Sequence, residues 1–238
     1  MGQRANSPGI LATGENRGKT DFKRQLDVYT APRGRFAVVQ VPPLTYLLID
    51  GHGDPNDSPA YAEAVASLYS LAYGLKFLSK TELGRDYVVM PLEGLWWSED
   101  MASFTSQRDK SRWDWTLMNL VPDWLTAEQL EVVRRAAARK GSTGVDRVRQ
   151  ERYEEGLSVQ TLHVGPFDEE AAVLAAMHET FLPARGLRRT GKHHEIYLSD
   201  PRRTARARLR TILRQPVSER EPAVGQGERD PGRGQARR

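Results

Sequence analysis

The sequence has no cysteine among its 238 residues. That excludes disulfides, thiol nucleophiles and cysteine-ligated metals together. No apolar run approaches the ~20 residues that a membrane-spanning helix needs, and no signal-peptide pattern opens the chain. A cytoplasmic protein with no membrane partner is expected. Three motifs are also missing: the Gly-x4-Gly-Lys-Ser/Thr phosphate loop, the Gly-x-Ser-x-Gly nucleophile elbow and the His-Glu-x-x-His zinc pair. Of the five histidines, His193 and His194 are adjacent and so point to opposite faces of a strand, while His52 and His163 fall in or near turns. No metal site is expected.

Concentrated positive charge is lacking too. The formal net charge is +4, but residues 1–20 carry +2 of it and residues 218–238 carry +1, which leaves the body near +1. Nucleic-acid binders gather basic residues on one face or helix. The stretch from Arg202 to Arg214 is a candidate patch, and it also reads as the solvated face of a short helix. Both tails are rich in Gly, Ser, Pro, Gln and charge, without apolar periodicity, and are predicted to be disordered. The ordered body then spans 21–217, long enough for one large domain with a sizeable core.

Within that body the segments alternate in a repeated order. Asp21–Tyr29 is a short helical or irregular lead-in. Phe36–Val41 and Leu44–Ile49 are strand-like runs broken by Pro42-Pro43. Gly51-His-Gly-Asp-Pro55 is a turn cluster, and Ser58-Pro59 opens a helix with apolar residues at three- and four-residue spacing. Tyr87–Met90, Leu92–Trp97 and Trp113–Leu120 are strand-like. Thr126-Ala-Glu-Gln129 is a capping box opening the helix Ala127–Lys140, which Gly141 ends. Leu157–Val164, a Gly165-Pro166 turn, the amphipathic helix Glu169–Phe181 and the strand His193–Leu198 then repeat the plan of the first half. The aromatics Tyr61 and Phe167 mark the correspondence. Two half-domains, about 21–140 and 141–217, are expected to join their strands in one antiparallel sheet with both helices on one side. A cleft is expected on the opposite, partly uncovered face, at the junction of the halves.

The candidate chemistry lies on three strands. In His193-His-Glu-Ile-Tyr-Leu198, alternation puts Glu195 and Tyr197 on one face with His193, and Ile196 and Leu198 on the other, which suits packing on helices. The acid–phenol face meets either water or a pocket. Against an aromatic wall Glu195 would be desolvated and suited to proton transfer, with Tyr197 as a hydrogen-bond donor. Trp113 and Trp115 share a face of another strand, either filling core or lining a pocket for a flat ligand. Glu93, Leu95 and Trp97 share a face of a third. Glu93 reads there as a solvated edge residue, or as a ligand contact.

Four segments together resemble the standalone GyrI-like small-molecule-binding proteins. They are Ile49-Asp-Gly-His-Gly-Asp-Pro-Asn56, Val89-Met-Pro-Leu-Glu-Gly-Leu-Trp-Trp97, Trp113-Asp-Trp-Thr-Leu-Met118 and Gly191-Lys-His-His-Glu-Ile-Tyr-Leu-Ser-Asp-Pro-Arg-Arg203. The tail Leu209–Pro216 fits as well. The resemblance implies an α+β fold of duplicated half-domains forming an eight-stranded antiparallel sheet, with two main helices and a central cleft at the pseudo-two-fold. It implies a lipophilic aromatic small molecule as partner. It also implies no direct DNA binding, because no helix-turn-helix precedes residue 21. Some standalone members are similar to hydrolases of cyclopropanoid DNA-alkylating natural products of the yatakemycin and CC-1065 class. On that likeness Glu195 and Tyr197 are catalytic. Trp97, Trp113, Trp115, Glu93 and His193 bind ligand, and no cofactor is required. The alternative is a non-catalytic sponge or sensor that captures lipophilic cations through the same residues.

Overall fold

The turn residues Gly and Pro divide the chain into short β-type runs, and nearly all of these enter one sheet. The computed structural model describes residues 18–98 and 109–220, so most of the two terminal stretches predicted to be disordered lies outside the described residues. Among the described residues there are nine strands: β1 (Ala37–Val41), β2 (Leu44–His52), β3 (Glu93–Trp97), β4 (Asp114–Leu120), β5 (Arg149–Tyr153), β6 (Gly156–Val164), β7 (Leu187–Arg189), β8 (His193–Tyr197) and β9 (Arg210–Glu219). Eight of them run in the order β1-β6-β9-β8-β3-β4-β2-β5, and the ninth, β7, pairs with β9. All pairings are antiparallel. The fold is α+β as expected, with nine strands rather than eight.

The order carries a crossover. β1 joins the later strands through β6, and β5 joins the earlier strands through β2. The strands β3 and β8 therefore meet in the middle of the sheet, each with neighbours on both sides.

Helices cover one face. Ser58 caps α2 (Pro59–Glu82), its side chain accepting from the Tyr61 N–H, with Pro59 in the first turn. The capping box at Thr126 and Gln129 opens α3 (Ala127–Arg139) with both reciprocal hydrogen bonds present. Ala64, Leu68, Leu71 and Leu75 of α2 pack with Leu130 and Val133 of α3 on Leu47, Ile49, Trp115 and Leu117 of the sheet. Each fully buried leucine of this set contributes roughly 1.5–3 kcal/mol. The later helical run covers Val159 and Val217 with Met177 and Leu182. By strand register those residues lie on the same face as Ile49 and Leu117.

The opposite face is roofed in part by the lead-in, a short helix α1 (Phe22–Gln25) and a 3₁₀ turn Asp27–Tyr29. Val28 and Tyr29 pack there on Tyr46, Leu48, Leu95, Met118, Ile196 and Ile212. Ile196 thus packs under the lead-in and not on the helices, reversing the sequence-based expectation for the two faces of β8.

Other runs differ from expectation for identifiable reasons. Tyr87–Met90 forms no strand; Tyr87 makes one parallel bridge to Thr20, and Pro91, lacking an N–H, follows the run. The helix expected over Glu169–Phe181 is composite. An α-helical turn pair α4 (Glu170–Ala175) widens into π-helix at Ala176–Phe181 and closes in α5 (Leu182–Ala184). Pro183 cannot donate to the carbonyl of Glu179, and the Leu182 N–H reaches back to Met177, so the wide turn replaces the missing bond. The Arg202–Arg214 stretch holds only a 3₁₀ turn, Arg206–Arg208, before entering β9, where Arg214 is buried. No helix among the described residues is long and apolar enough to cross a membrane.

Gly51 and His52, read from sequence as part of a turn, continue β2 instead. Gly51 stands directly opposite Trp115 in β4. A β-carbon at Gly51 would come within 2.0 Å of the Trp115 ring, which is itself fully buried. The glycine therefore makes the space in which the indole lies. Gly51→Ala is expected to destabilise the protein by about 1–3 kcal/mol through overpacking, read as a lower urea midpoint with an unchanged slope.

Candidate ligand site

The site grows from the central strand pair. In the register of β3 and β8, Gly94 faces Glu195 and Trp96 faces His193. Paired residues share a face, so His193, Glu195 and Tyr197 project to the helix-covered side together with Trp96. This corrects the expectation of a cleft on the opposite face: the acid and the phenol look toward the helices.

Two helix entrances supply further walls. Tyr61 stands in the first turn of α2, fixed by the Ser58 cap. Its ring stacks on Trp96 at a centroid distance of 6.2 Å and meets Trp115 edge-on at 5.2 Å. Phe167 stands in the turn that follows Gly165-Pro166 and meets the Tyr197 ring edge-on at 5.6 Å. Trp113, just before β4, packs edge-on against Trp96 at 5.9 Å, and the Lys110 ammonium lies 5.8 Å from its ring. A ring of aromatic side chains thus surrounds a short polar chain.

That chain has a defined direction. The Trp96 indole N–H donates to the Tyr197 hydroxyl at 3.0 Å, and the Tyr197 O–H donates to Glu195 Oε2 at 2.7 Å. Glu195 Oε1 lies 3.4 Å from His193 Nε2. Burial is the largest cause holding the Tyr197 phenol well above its ordinary pKa, followed by the negative charge of Glu195 and the Tyr61 neighbour, with buried Glu170 adding to it. Tyr61 is raised by burial and then by Glu195. Both phenols therefore stay protonated at neutral pH and act as donors. His178, near His193, is lowered to about 4 by burial first and then by His193 and Arg189, against a hydrogen bond to Gln215 that raises it.

The structure brings together Glu195, Tyr197, His193 and Trp113 of the residues selected from sequence. Trp115 lies on the same face but is fully buried under Tyr61, so it supports the aromatic wall from behind. Trp97 and Glu93 lie on the other face. Trp97 packs with the lead-in cluster and carries the Lys192 ammonium 3.1 Å from its ring centroid. Glu93 has no exposed surface, so it is neither a solvated edge residue nor a component of this wall. It accepts from the Tyr29 hydroxyl at 2.5 Å. Sequence reasoning selects the wrong member of the Trp96-Trp97 pair, because alternation within β3 fixes parity but not which face is which. It also leaves Tyr61 and Phe167 without a role, although both stand out as matching aromatics of the two halves.

A carboxylate hydrogen-bonded to a phenol inside an aromatic enclosure is an arrangement suited to a small-molecule-binding domain. The chain belongs to the GyrI-like family: residues 34–217 match the GyrI-like small molecule binding domain. It is similar to a conserved protein from Listeria innocua of known structure, with 43% identity and a TM-score of 0.77, covering 84% of this chain and all of that one. It is likewise similar to a hydrolase encoded by lin2189 from Listeria innocua, with 42% identity, a TM-score of 0.76 and the same coverage of 84% and 100%. A more distant likeness, to the EcmrR C-terminal domain at 12% identity and a TM-score of 0.51, covers 78% of this chain and 98% of that one and shows the fold alone. No functionally curated protein matches the chain.

Tyr197 connects two polar groups in a site walled by rings, so removing its hydroxyl takes one hydrogen bond from the Trp96 indole and one from Glu195 Oε2. Tyr197→Phe is expected to cost about 1–3 kcal/mol of stability. Phe167→Leu, which trims one edge-on ring pair, should cost no more than about 1.5 kcal/mol. Parallel urea titrations compare them, and an equal loss in both variants would show that the Tyr197 hydroxyl carries no structural share.

Proposed function

We propose that the protein hydrolyses cyclopropanoid DNA-alkylating compounds of the yatakemycin and CC-1065 class by adding water to the cyclopropane, and so confers resistance to them in the cytoplasm. The observation that carries this reading is the Trp96–Tyr197–Glu195 hydrogen-bond chain set within aromatic rings. The likeness to a hydrolase at 42% identity over the whole of that chain supports it.

The chemistry follows from the substrate's electronics. Such compounds are flat and carry a strained cyclopropane conjugated to a dienone. Trp96, Trp113 and Tyr61 offer the ring surface on which a flat molecule stacks, and Phe167 closes the side by Tyr197. Water attacks the cyclopropane carbon, the strained C–C bond breaks, and its electron pair flows to the dienone oxygen, which becomes a phenolate. Glu195 takes the proton from the attacking water. Tyr197, held protonated by burial, donates a hydrogen bond to the developing oxyanion and stabilises it. The phenolate then takes up the proton from Glu195, so the net change is the addition of one water. In the structure the single Tyr197 proton is directed at Glu195 Oε2. Redirecting it to the ligand frees that oxygen to accept from water.

Glu195→Gln preserves size and removes the base. It is expected to slow turnover about 10²–10⁴-fold with little change in ligand affinity. The measurement is mass spectrometry of a cyclopropanoid alkylator incubated with the parent protein and with the variant. Catalytic gain of one water by the parent, lost in the variant, is the expected result; equal turnover in both would remove Glu195 from the mechanism.

One observation favours a second reading, a binding-only sponge or sensor. A partly buried carboxylate among ring faces also suits a lipophilic cation, which gains from both the charge and the ring quadrupoles. On that reading the alkylator is recovered intact. Glu195→Gln then loses cationic ligands while keeping neutral analogues of the same shape.

A further inference from the structure

The reverse face of β8 carries a second polar cluster that the proposed chemistry does not use. His194 is fully buried there, directly behind the strand that presents Glu195 and Tyr197. Its Nδ1 lies 2.9 and 3.1 Å from the two carboxylate oxygens of Glu155. Its Nε2 lies 3.0 Å from Oε2 of Glu93, in a poorly aligned contact. Both acids are as buried as the imidazole. Arg214 donates to Glu155 at 2.9 Å, to Gln160 at 2.9 Å and to the Val28 carbonyl at 2.5 Å. Tyr29 donates to Glu93, Tyr46 lies beside Tyr29, and Tyr153 lies near Glu155.

The charge balance of this cluster is informative. Two buried carboxylates face one buried guanidinium. An isolated buried charge is far too costly to persist, so a second cation must be present or a carboxylate must be neutral. A neutral imidazole has one N–H and one lone pair. Here either choice of tautomer would aim a lone pair at a carboxylate oxygen about 3 Å away. An imidazolium, with an N–H on each side, removes both the repulsion and the charge imbalance.

We infer that His194 is a positioning residue: an imidazolium wedged between Glu93 of β3 and Glu155 of the β5–β6 turn, which fixes the strand that carries Glu195 and Tyr197. The clamp ties β8 to β3 across the same strand pair that places Trp96 against Tyr197. Losing the proton would open the contact to Glu93 and loosen the Trp96–Tyr197 bond on the other face. The electrostatics agree in direction. Burial alone would lower His194, but Glu155 and then Glu93 raise it from 6.5 to about 9. Glu155, which burial alone would raise, is brought down from 4.5 to about 2 by His194 and Arg214. For His194 the sign is that of a raised base: the stabilisation is complete below pH 6.5 and is lost as pH rises through about 9.

The test begins with the intact protein and needs no substrate. Nitrogen-15 NMR of the imidazole rings, with His194 assigned by its absence in the Glu93→Gln, His194→Gln double variant, should show both ring nitrogens protonated at pH 7.5 and one proton lost near pH 9. The Trp96 indole N–H signal, assigned with Trp96→Phe, should shift in the same step. A His194 ring that is a single neutral tautomer at pH 7.5 overturns the clamp. A ring that titrates while the Trp96 signal stays fixed overturns the positioning role. The activity arm rests on the hydrolase reading proposed above. Turnover should fall about tenfold per pH unit above about pH 9 in the parent, and that limb should vanish in the double variant, whose cluster is neutral without His194. Persistence of the limb in that variant counts against His194. An inactive parent that still shows the coupled NMR step sinks the hydrolase reading and leaves the clamp standing.

Discussion

The pairing of β3 with β8 is the joint on which the rest of the structure depends. Four residue pairs make it: Glu93 with Ile196, Gly94 with Glu195, Leu95 with His194 and Trp96 with His193. It connects the strands β1, β6 and β9 to the strands β4, β2 and β5, and no other pairing among the described residues bridges those two sets. Because strand side chains alternate, the same five-residue stretch of β8 faces two different environments. One face holds Glu195 and Tyr197 among aromatic rings. The other holds His194 among buried charges. A slip of one residue would exchange the faces, sending Ile196 into the aromatic enclosure and Glu195 into the charged cluster. The two polar sets therefore also act as register markers, since neither tolerates the other's place.

The two faces solve the problem of buried polarity differently. On the helix side the enclosure is mostly rings, and three groups satisfy one another in a line from Trp96 through Tyr197 to Glu195. The line leaves carboxylate capacity over, which is what a site needs if it is to accept something from a ligand or water. On the lead-in side the polar groups are more numerous and pair opposite charges. Arg214 alone reaches Glu155, Gln160 and the backbone of Val28, so that cluster joins β9, β6, the β5–β6 turn and the lead-in. A matched network of this kind costs much to dehydrate and contributes little net stability, but it permits few alternative packings. Rigidity on the reverse face and spare valence on the front face are complementary demands, and a single strand meets both.

Much of this is legible in the sequence where the signal is local. Ser58-Pro59 and Thr126-x-x-Gln129 announce helix starts through chemistry confined to one turn, and both helices begin there. The parity of Glu195 and Tyr197 follows from the pleat and needs no tertiary knowledge. What is not legible depends on which face looks where. Trp97 stands in for Trp96 in the sequence reading because parity alone cannot say which side the helices cover. Glu93 reads as an edge residue until β8 is known to lie beside β3, which puts it in the centre of the sheet. Arg214 sits in an arginine-rich stretch whose other members are exposed, so nothing local separates it from them. Gly51 looks like a turn residue, and only the Trp115 ring opposite explains why a strand contains it.

The enclosure draws two of its aromatic walls from distant regions of the chain. Tyr61 and Phe167 each follow a Gly- and Pro-containing turn and each stand in the first turn of a helical run. One packs on Trp96 and the other on Tyr197, the residues that share the central hydrogen bond. A flat ligand entering between them would separate these ring contacts without disturbing a helix cap or a strand pair. Side-chain rearrangement of this scale costs far less than moving an element, so the core beneath can stay closed while the rings adapt. A site built this way keeps its acid and phenol fixed by the strand and leaves shape selection to the rings. That division fits a small-molecule-binding domain.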